Sequence, residues 1–203
     1  MVSNETAPVP RTIIKFKGVN PALETEAHGR VLQWFFSYPA REVSLNDLCG
    51  LVGISKTTAN GVVTLLQREG FLKIQPLGRL WRITCDQTHP YNITRKIPTH
   101  LAAIYESGML DAIRTAIPGS RAIVLLGSYR RGDDTETSDV DIAVEVLGDR
   151  EPETVLFGKI AQLGYRKDVA VNLQLFSRNR IDLNLFANIA NGIVLDGFLE
   201  ARP

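Results

Sequence analysis

Apolar residues recur at helical spacing in three short segments between Ala27 and Gly70. Ser44 and Ser55 stand where the second and third segments begin, and serine is a favoured N-cap. Gly53 lies between these segments and suits a tight turn. The pattern predicts three helices. Their apolar faces are Val31, Leu32, Trp34, Phe35 and Phe36; Leu45, Leu48, Leu51 and Val52; and Val62, Val63, Leu65 and Leu66.

Two strand-like runs follow the helices. They cover residues 71–74 and 80–84, and the Pro-Leu-Gly-Arg sequence at 76–79 predicts the turn between them. A further short strand is predicted at 12–16, within a polar N-terminal arm formed by residues 1–25.

Three helices and a hairpin within 60 residues resemble the winged helix-turn-helix of small bacterial and archaeal transcription regulators. The resemblance covers residues 27–85 and implies that the helix from Lys56 enters the DNA major groove. The residues it implies for base contact are Ser55, Lys56, Thr57, Thr58 and Asn60. The residues it implies for phosphate contact are Arg79, Lys73 and Arg82. Winged helices also serve as interaction modules, and this helix is poor in Lys and Arg, so a purely structural role stays open.

The second half alternates strand-like and helical patterns. A helical stretch opens at Pro98, is interrupted at 107–108 and ends at 118–119. A continuous apolar run at 122–126 predicts a buried strand. A second strand is predicted from Asp139, and a third over 169–176. Between them a helix is predicted over Pro152–Leu163, with Asp149 as its cap and Gly164 as its end.

The loop after the buried strand carries the polar chemistry. Gly127 admits close approach of a ligand, and Ser128 adds a hydroxyl beside free backbone N–H groups that suit an anion. Arg131 adds a guanidinium for phosphate. Asp139 and Asp141 are two residues apart on a strand, so their carboxylates share one face and suit Mg²⁺ bound to a triphosphate.

These residues together resemble the DNA polymerase β-like nucleotidyltransferase superfamily, and its minimal members in particular. The resemblance rests on the buried strand, Gly127-Ser128, Arg131-Gly132 and Ser138-Asp139-x-Asp141, and it spans about residues 100–196. It implies that Asp139 and Asp141 hold two Mg²⁺ or Mn²⁺ ions. It also implies that Gly127, Ser128 and Arg131 bind the phosphates. An acceptor hydroxyl then attacks the α-phosphorus, and pyrophosphate leaves.

The superfamily carries a third carboxylate on a later strand, and Asn172 takes that position here. An amide oxygen can ligate a metal, but an amide cannot act as a base. Asp168 lies four residues before Asn172, and Glu145 lies four residues after Asp141, a distance of about 13 Å along a strand in each case. Glu145 is expected to be solvated. Three outcomes stay open. The domain is active, either with two carboxylates or with a third acid supplied by the substrate or a partner. Alternatively, it binds nucleotide without turnover, or it is inert.

Composition and charge narrow the class of protein. The chain has 203 residues, 44% of them hydrophobic and 22% charged, which fits a globular protein of one or two domains. Residues 1–90 carry 10 basic and 7 acidic side chains (+3), and residues 91–203 carry 13 and 15 (−2). The sign of this split fits a nucleic-acid contact in the first half. Two cysteines, no secretory signal and no long apolar run predict a cytoplasmic protein with no membrane segment.

The sequence therefore predicts an α+β protein: a winged helix-turn-helix followed by an α/β nucleotidyltransferase fold with a mixed sheet. The predicted boundaries are 1–25 for the arm, 26–86 for the winged helix, 87–117 for a linker with helices and 118–203 for the nucleotidyltransferase domain. The expected function is Mg²⁺-dependent transfer of a nucleoside monophosphate from a triphosphate to an unidentified acceptor, with the winged helix bound to DNA and a homodimer implied by the winged-helix resemblance. The alternatives are a transcription regulator with a nucleotide-sensing or inactive second domain, and an antitoxin-like protein that modifies a partner protein.

Overall fold

The first compact part of the protein is a helix–hairpin unit formed by residues 27–85. The computed structural model describes residues 13–18, 26–78 and 80–200. The elements of this unit are α1 (Ala27–Ser37), α2 (Leu45–Val52), α3 (Lys56–Arg68), β2 (Leu72–Leu77) and β3 (Leu80–Cys85). These match the three helices and the hairpin that the pattern predicts, and β2 runs three residues further than expected. In the described ranges no helix has both the length and the hydropathy to cross a membrane.

Side-chain caps fix the starts of α2 and α3. Ser44 Oγ accepts a hydrogen bond from the Asp47 backbone N–H at 3.1 Å, and Ser55 Oγ accepts one from Thr58 at 3.1 Å. Gly53 ends α2 in a left-handed conformation with φ +67°. A shared core then forms because most residues of the predicted apolar faces, Trp34 and Phe35 among them, are buried against each other and against the hairpin. The prediction is wrong for Leu51 and Leu65, which lie on the solvent side of their helices and are exposed.

The second compact part is a sheet unit formed by residues 14–16 and 97–197. Its helices are α4 (Ile97–Glu106), α5 (Met109–Ala116), α6 (Gly127–Arg131) and α7 (Leu183–Ala190). Its strands are β1 (Ile14–Phe16), β4 (Ala122–Leu125), β5 (Val140–Glu145), β6 (Glu153–Leu163), β7 (Arg166–Phe176) and β8 (Ile193–Gly197). The order in the sheet is β1-β6-β7-β5-β4-β8, and β1–β6 and β5–β7 are parallel pairs among antiparallel ones. The sheet is therefore mixed, as predicted.

Different elements pack against the two faces of this sheet. Alternate residues of β4 and β5, such as Ile123 and Ile142, face a core that includes residues of α4, α5 and β1. The intervening residues, Val124 and Ala143, face α7 through Ile189. Segments that the sequence placed in the arm and the linker thus pack against the sheet. Since Asp141 has the same parity as Ala143, its carboxylate lies on the α7 side.

The helix predicted over Pro152–Leu163 is wrong, because this segment is strand β6. β6 pairs antiparallel with β7 through a two-residue turn at Gly164 and Tyr165. Gly164 has φ +61°, and a glycine at the first turn position suits a tight hairpin. A bulge between Leu156 and Gly158 shifts the pairing. The bulge thus allows Phe157 and Ile160, three residues apart, both to be buried, and Leu163 is buried beside the turn. The three buried residues recur every three positions and imitate a helix face.

The two units touch at the β6–β7 turn and at the loop after α6. The Tyr165 backbone N–H donates to Ser37 Oγ at 3.0 Å, and Tyr38 Oη donates to the Tyr165 carbonyl at 2.8 Å. Arg41 Nε lies 3.8 Å from Glu136 Oε1. The end of α1 and the residues after it thus contact both the sheet and the loop that precedes Asp139.

Candidate functional site

The end of β4 packs directly on Asp141. Gly127 follows β4 with φ +65°, and a Cβ built on it would lie 2.7 Å from Asp141 Oδ2. The Leu126 N–H donates to the Asp141 carbonyl at 2.8 Å. A side chain at position 127 would displace the carboxylate, and the positive φ strains any residue other than glycine.

Asp139, Asp141 and Asn172 come together at the start of the parallel pair β5–β7. The register places Asp141 beside Asn172. Asn172 Nδ2 donates to Asp139 Oδ2 at 3.4 Å and to Asp141 Oδ1 at 3.3 Å. A neutral amide thus bridges two carboxylates, with hard oxygen donors of the kind that Mg²⁺ and Mn²⁺ prefer. Among the described residues, no group of three His, Cys, Asp or Glu side chains could hold a metal ion.

A cavity of about 620 Å³ opens beside these residues. Gly127, Asp141 and Asn172 line it, and α7 forms the opposite wall. The volume lies within the range of small-molecule sites. Asp139 is exposed at its edge, next to Asn172, and is not part of the lining.

Two arginines reach this cavity from α6. Arg130 and Arg131 both line it, whereas the sequence pointed to Arg131 for phosphate. Arg131 Nε also donates to Asp133 Oδ2 at 2.9 Å, in an exposed ion pair. Ser128 lies on α6 between Gly127 and these arginines, outside the lining. The cavity therefore combines guanidinium groups with carboxylates.

A buried ion pair supports the loop that precedes Asp139. Lys96 Nζ donates to the Asp134 carbonyl at 2.6 Å and lies 3.1 Å from Asp134 Oδ1. Both side chains are 1% exposed, and His100 Nδ1 lies 3.5 Å from the same oxygen. Burial raises the pKa of Asp134, but the charges and hydrogen bonds of His100 and Lys96 outweigh burial and leave the pKa below its usual value. The sequence did not indicate this pair, because Lys96 and Asp134 are 38 residues apart.

Arg166 fixes the other end of this loop. Its Nη2 donates to the Ser138 carbonyl at 2.6 Å, and its Nη1 donates to the hydroxyl of buried Tyr129. Burial raises the pKa of Tyr129 far above its usual value, so this hydroxyl stays protonated. Because Ser138 directly precedes Asp139, Arg166 holds the backbone that carries the exposed carboxylate. Sequence reasoning missed Arg166, which lies at the first position of β7.

Glu145 has a different environment from the solvated one expected. Its side chain is 1% exposed, and both oxygens accept from Arg178, at 3.1 and 3.4 Å. Arg178 follows the end of β7 by two residues, so this ion pair ties the segment after β7 to the sheet. Asp168 is exposed, 4.0 Å from Lys15. Neither carboxylate appears in the cavity lining.

The residues proposed for DNA contact lie on an exposed end of α3. Ser55, Lys56, Thr57, Thr58 and Asn60 are all exposed. Lys73 is paired with Asp86 at 3.0 Å and Arg82 with Glu42, in ion pairs at the surface of the unit. Hydrogen bonds from Thr88, followed by the Lys73 contact, hold the pKa of Asp86 well below its usual value. Arg79 lies outside the described residues.

A comparison with protein families places part of the chain in a known domain family. Residues 107–188 match the family model of the nucleotidyltransferase domain. The matched region runs from the end of α4 through most of α7 and contains Gly127, Asp139, Asp141 and Asn172. This part of the chain is therefore similar to nucleotidyltransferases of the DNA polymerase β type. No curated protein matches the chain.

Proposed function

We propose that this protein transfers a nucleoside monophosphate from a nucleoside triphosphate to an acceptor hydroxyl, with Mg²⁺ or Mn²⁺. One observation carries the proposal: Gly127 packs on the Asp141 carboxylate in a cavity that also receives Arg130 and Arg131. Phosphate-binding groups and metal ligands thus meet at one point. The match to the nucleotidyltransferase family supports the same reaction class.

The residues present fit a divalent cation that arrives with the nucleotide. Two carboxylates and an amide oxygen are too few for a dedicated cage, but Mg²⁺ is usually bound by one or two carboxylates together with substrate phosphates. When bound, the metal supplies charge stabilisation for the developing pyrophosphate. Asp139 and Asp141 would hold the metal, and rotation of the Asn172 amide would turn Oδ1 toward it.

The protein's own groups contribute positioning and charge. The arginines of α6 attract the triphosphate, and Gly127 lets its phosphates approach the backbone. The acceptor hydroxyl attacks the α-phosphorus, a new P–O bond forms, and pyrophosphate leaves as the bond to the β-phosphate oxygen breaks. Since Asn172 cannot take a proton, the proton of the acceptor passes to water, to an Asp carboxylate or to a group of the acceptor.

Titration calorimetry with Mg²⁺ and each nucleoside triphosphate tests this proposal. We expect Mg²⁺-dependent binding in the wild type and its loss, by at least tenfold in Kd, in the Asp139→Asn/Asp141→Asn variant. Asp168→Asn is the matched control, because this exposed carboxylate lies outside the cavity. If no triphosphate binds to the wild type, the proposal is rejected, and a transferase fold that has lost nucleotide binding is favoured.

A transcription regulator that senses nucleotide is the second candidate. Asn172 favours it, because an amide at this position permits metal-nucleotide binding while removing the third acid. Nucleotide binding without pyrophosphate release, across a range of candidate hydroxyl acceptors, would select this candidate over the enzyme.

In both cases we propose that the helix–hairpin unit is a winged helix and binds DNA through α3. Lys56→Ala is expected to weaken DNA binding and reduce the slope of log K against log [salt] by about 1, because one phosphate contact is lost. A gel-shift titration at several salt concentrations measures this slope. Lys167→Ala is the matched control, since Lys167 is an exposed lysine on β7 of the sheet unit and should leave the slope unchanged. Equal affinities for wild type and Lys56→Ala at low salt would contradict DNA binding through this helix.

A further inference from the structure

The cavity beside Asp141 has a charged end and a neutral end. Arg130, Arg131 and Asp141 are at the charged end, near Gly127. The other lining residues are uncharged. Those that matter here are Thr154 on β6, Gln174 on β7, and Leu185 and Asn188 on α7. A nucleoside triphosphate has the same distribution, because its phosphates are charged and its base is neutral.

Two walls of fixed geometry form the neutral end. On β7, Gln174 follows Asn172 by two residues, so it lies on the same face about 7 Å further along the strand. Thr154 pairs with Gln174 across β6–β7. On α7, Leu185 and Asn188 are three residues apart and share one helix face. The neutral end therefore begins one side-chain row beyond the amide that bridges the aspartates.

The amides at this end are available to a ligand. Within the described part of the chain, the side-chain amides of Asn188 and Gln174 have no hydrogen-bond partner. By contrast, Asn191, at the C-terminal end of α7, donates its Nδ2 to the Ala187 carbonyl at 2.8 Å. Each available amide offers a donor and an acceptor side by side, the arrangement that pairs with the edge of a nucleobase. Leu185 supplies an apolar surface for the face of the ring.

We propose that the neutral end binds the nucleobase and that Gln174 and Asn188 select among bases. This inference rests on the proposed nucleotidyl transfer and assigns the base-binding part of that site. It adds two specificity residues, on β7 and α7, to the metal and phosphate groups on β4, α6 and β5. Hydrogen bonds from each amide distinguish the bases, because a base with the wrong edge leaves a donor or an acceptor of the amide unpaired.

Calorimetry with the full chain and Mn²⁺ tests the inference by comparing ATP, GTP, CTP and UTP with inorganic tripolyphosphate. Tripolyphosphate carries the phosphates without a base. We expect at least one nucleotide to bind tenfold or more tightly than tripolyphosphate. Asn188→Ala and Gln174→Ala should each reduce that advantage at least fivefold, with tripolyphosphate affinity changed less than twofold. Asn184→Ala, at an exposed position of α7 outside the cavity lining, is the matched control.

The other outcomes separate the two proposals. If all four nucleotides bind no more tightly than tripolyphosphate, or if both variants keep the wild-type preference, the base site is wrong and the phosphate site stands. If neither tripolyphosphate nor any nucleotide binds, the proposed function fails and the base site fails with it. Weaker binding of tripolyphosphate in Asn188→Ala would assign Asn188 to the phosphates and would also overturn the inference.

Discussion

Replacement of Asn172 by Asp is expected to make the stability of the fold depend on a divalent cation. The native amide donates to Asp139 and Asp141 at 3.4 and 3.3 Å. The substitution removes both hydrogen bonds and places a third carboxylate within the same distance of the other two. Like charges this close resist joint ionisation, so the metal-free variant should be less stable by about 2 kcal/mol, or roughly 4–8 °C in Tm.

A bound cation should reverse this loss and raise activity. With Mn²⁺ or Mg²⁺ the three carboxylates become ligands, and the Tm of the variant should return to the wild-type value or exceed it. If proton removal from the acceptor limits turnover, pyrophosphate release should rise by about 10²–10⁴-fold, the usual contribution of a general base. Thermal melts with and without Mn²⁺, and a pyrophosphate-release assay, measure the two effects.

The matched control is Asn172→Ala, which removes the donor without adding a charge. It should lose stability to a similar or smaller extent and gain nothing specific from Mn²⁺. An Asn172→Asp variant whose Tm shows no more Mn²⁺ dependence than this control would refute the expected metal site. An unchanged rate of pyrophosphate release would show that the missing acid is not the bottleneck.

Lys96→Met is expected to cost about 3–5 kcal/mol of folding stability, the usual effect of removing one partner from a buried ion pair. Lys96 and Asp134 are each 1% exposed, and Lys96 Nζ also donates to the Asp134 carbonyl at 2.6 Å. Methionine fits the apolar part of the lysine volume, so the loss reflects a buried carboxylate left with His100 alone. Chemical denaturation measures the free energy of unfolding directly.

A second substitution separates charge from packing. Lys96→Met/Asp134→Asn removes the uncompensated charge, so the double variant should recover part of the stability lost in Lys96→Met. Lys73→Met tests an exposed pair of the same residue types, with Asp86, and should cost no more than about 1 kcal/mol. A loss below 1 kcal/mol in Lys96→Met would contradict a stabilising role for the buried pair.

The pH dependence of the wild type follows from the same pair. The pKa of Asp134 is lower in the folded protein than in the unfolded chain. Its contribution to stability is therefore fully present above the unfolded aspartate pKa, about 3.9, and is lost as the pH falls through the folded value. In Lys96→Met this acid-dependent loss should shrink, because the pKa of Asp134 rises when the ammonium is removed.

Local patterns in the sequence were sufficient to predict the helices and strands whose caps, turns and apolar residues lie within a few positions of each other. Ser44, Ser55 and Gly53 mark the ends of α2 and α3 through contacts no more than four residues away, and the structure has these caps. β4 and β5 were predictable because their apolar residues alternate or run continuously between glycines and polar residues. The shared face of Asp139 and Asp141 followed from strand parity alone.

Strand β6 was not predictable from its own residues. Phe157 and Ile160 are both buried although they are three residues apart, because a bulge between Leu156 and Gly158 interrupts the pairing with β7. The same pairing places Leu156, Thr154 and Gln174 beside the site. The register between two strands depends on both of them, so the pattern of one segment alone cannot predict it.

Apart from β6, the sequence by itself determined the main elements that surround the site and the polar residues that each one carries. Only the tertiary structure decided which of those residues meet: Asn172 with Asp139 and Asp141, Lys96 with Asp134, Glu145 with Arg178. Partners in these contacts are 31 to 38 residues apart in the chain. Their meeting depends on strand register and on the burial of apolar faces elsewhere, which a local pattern does not contain.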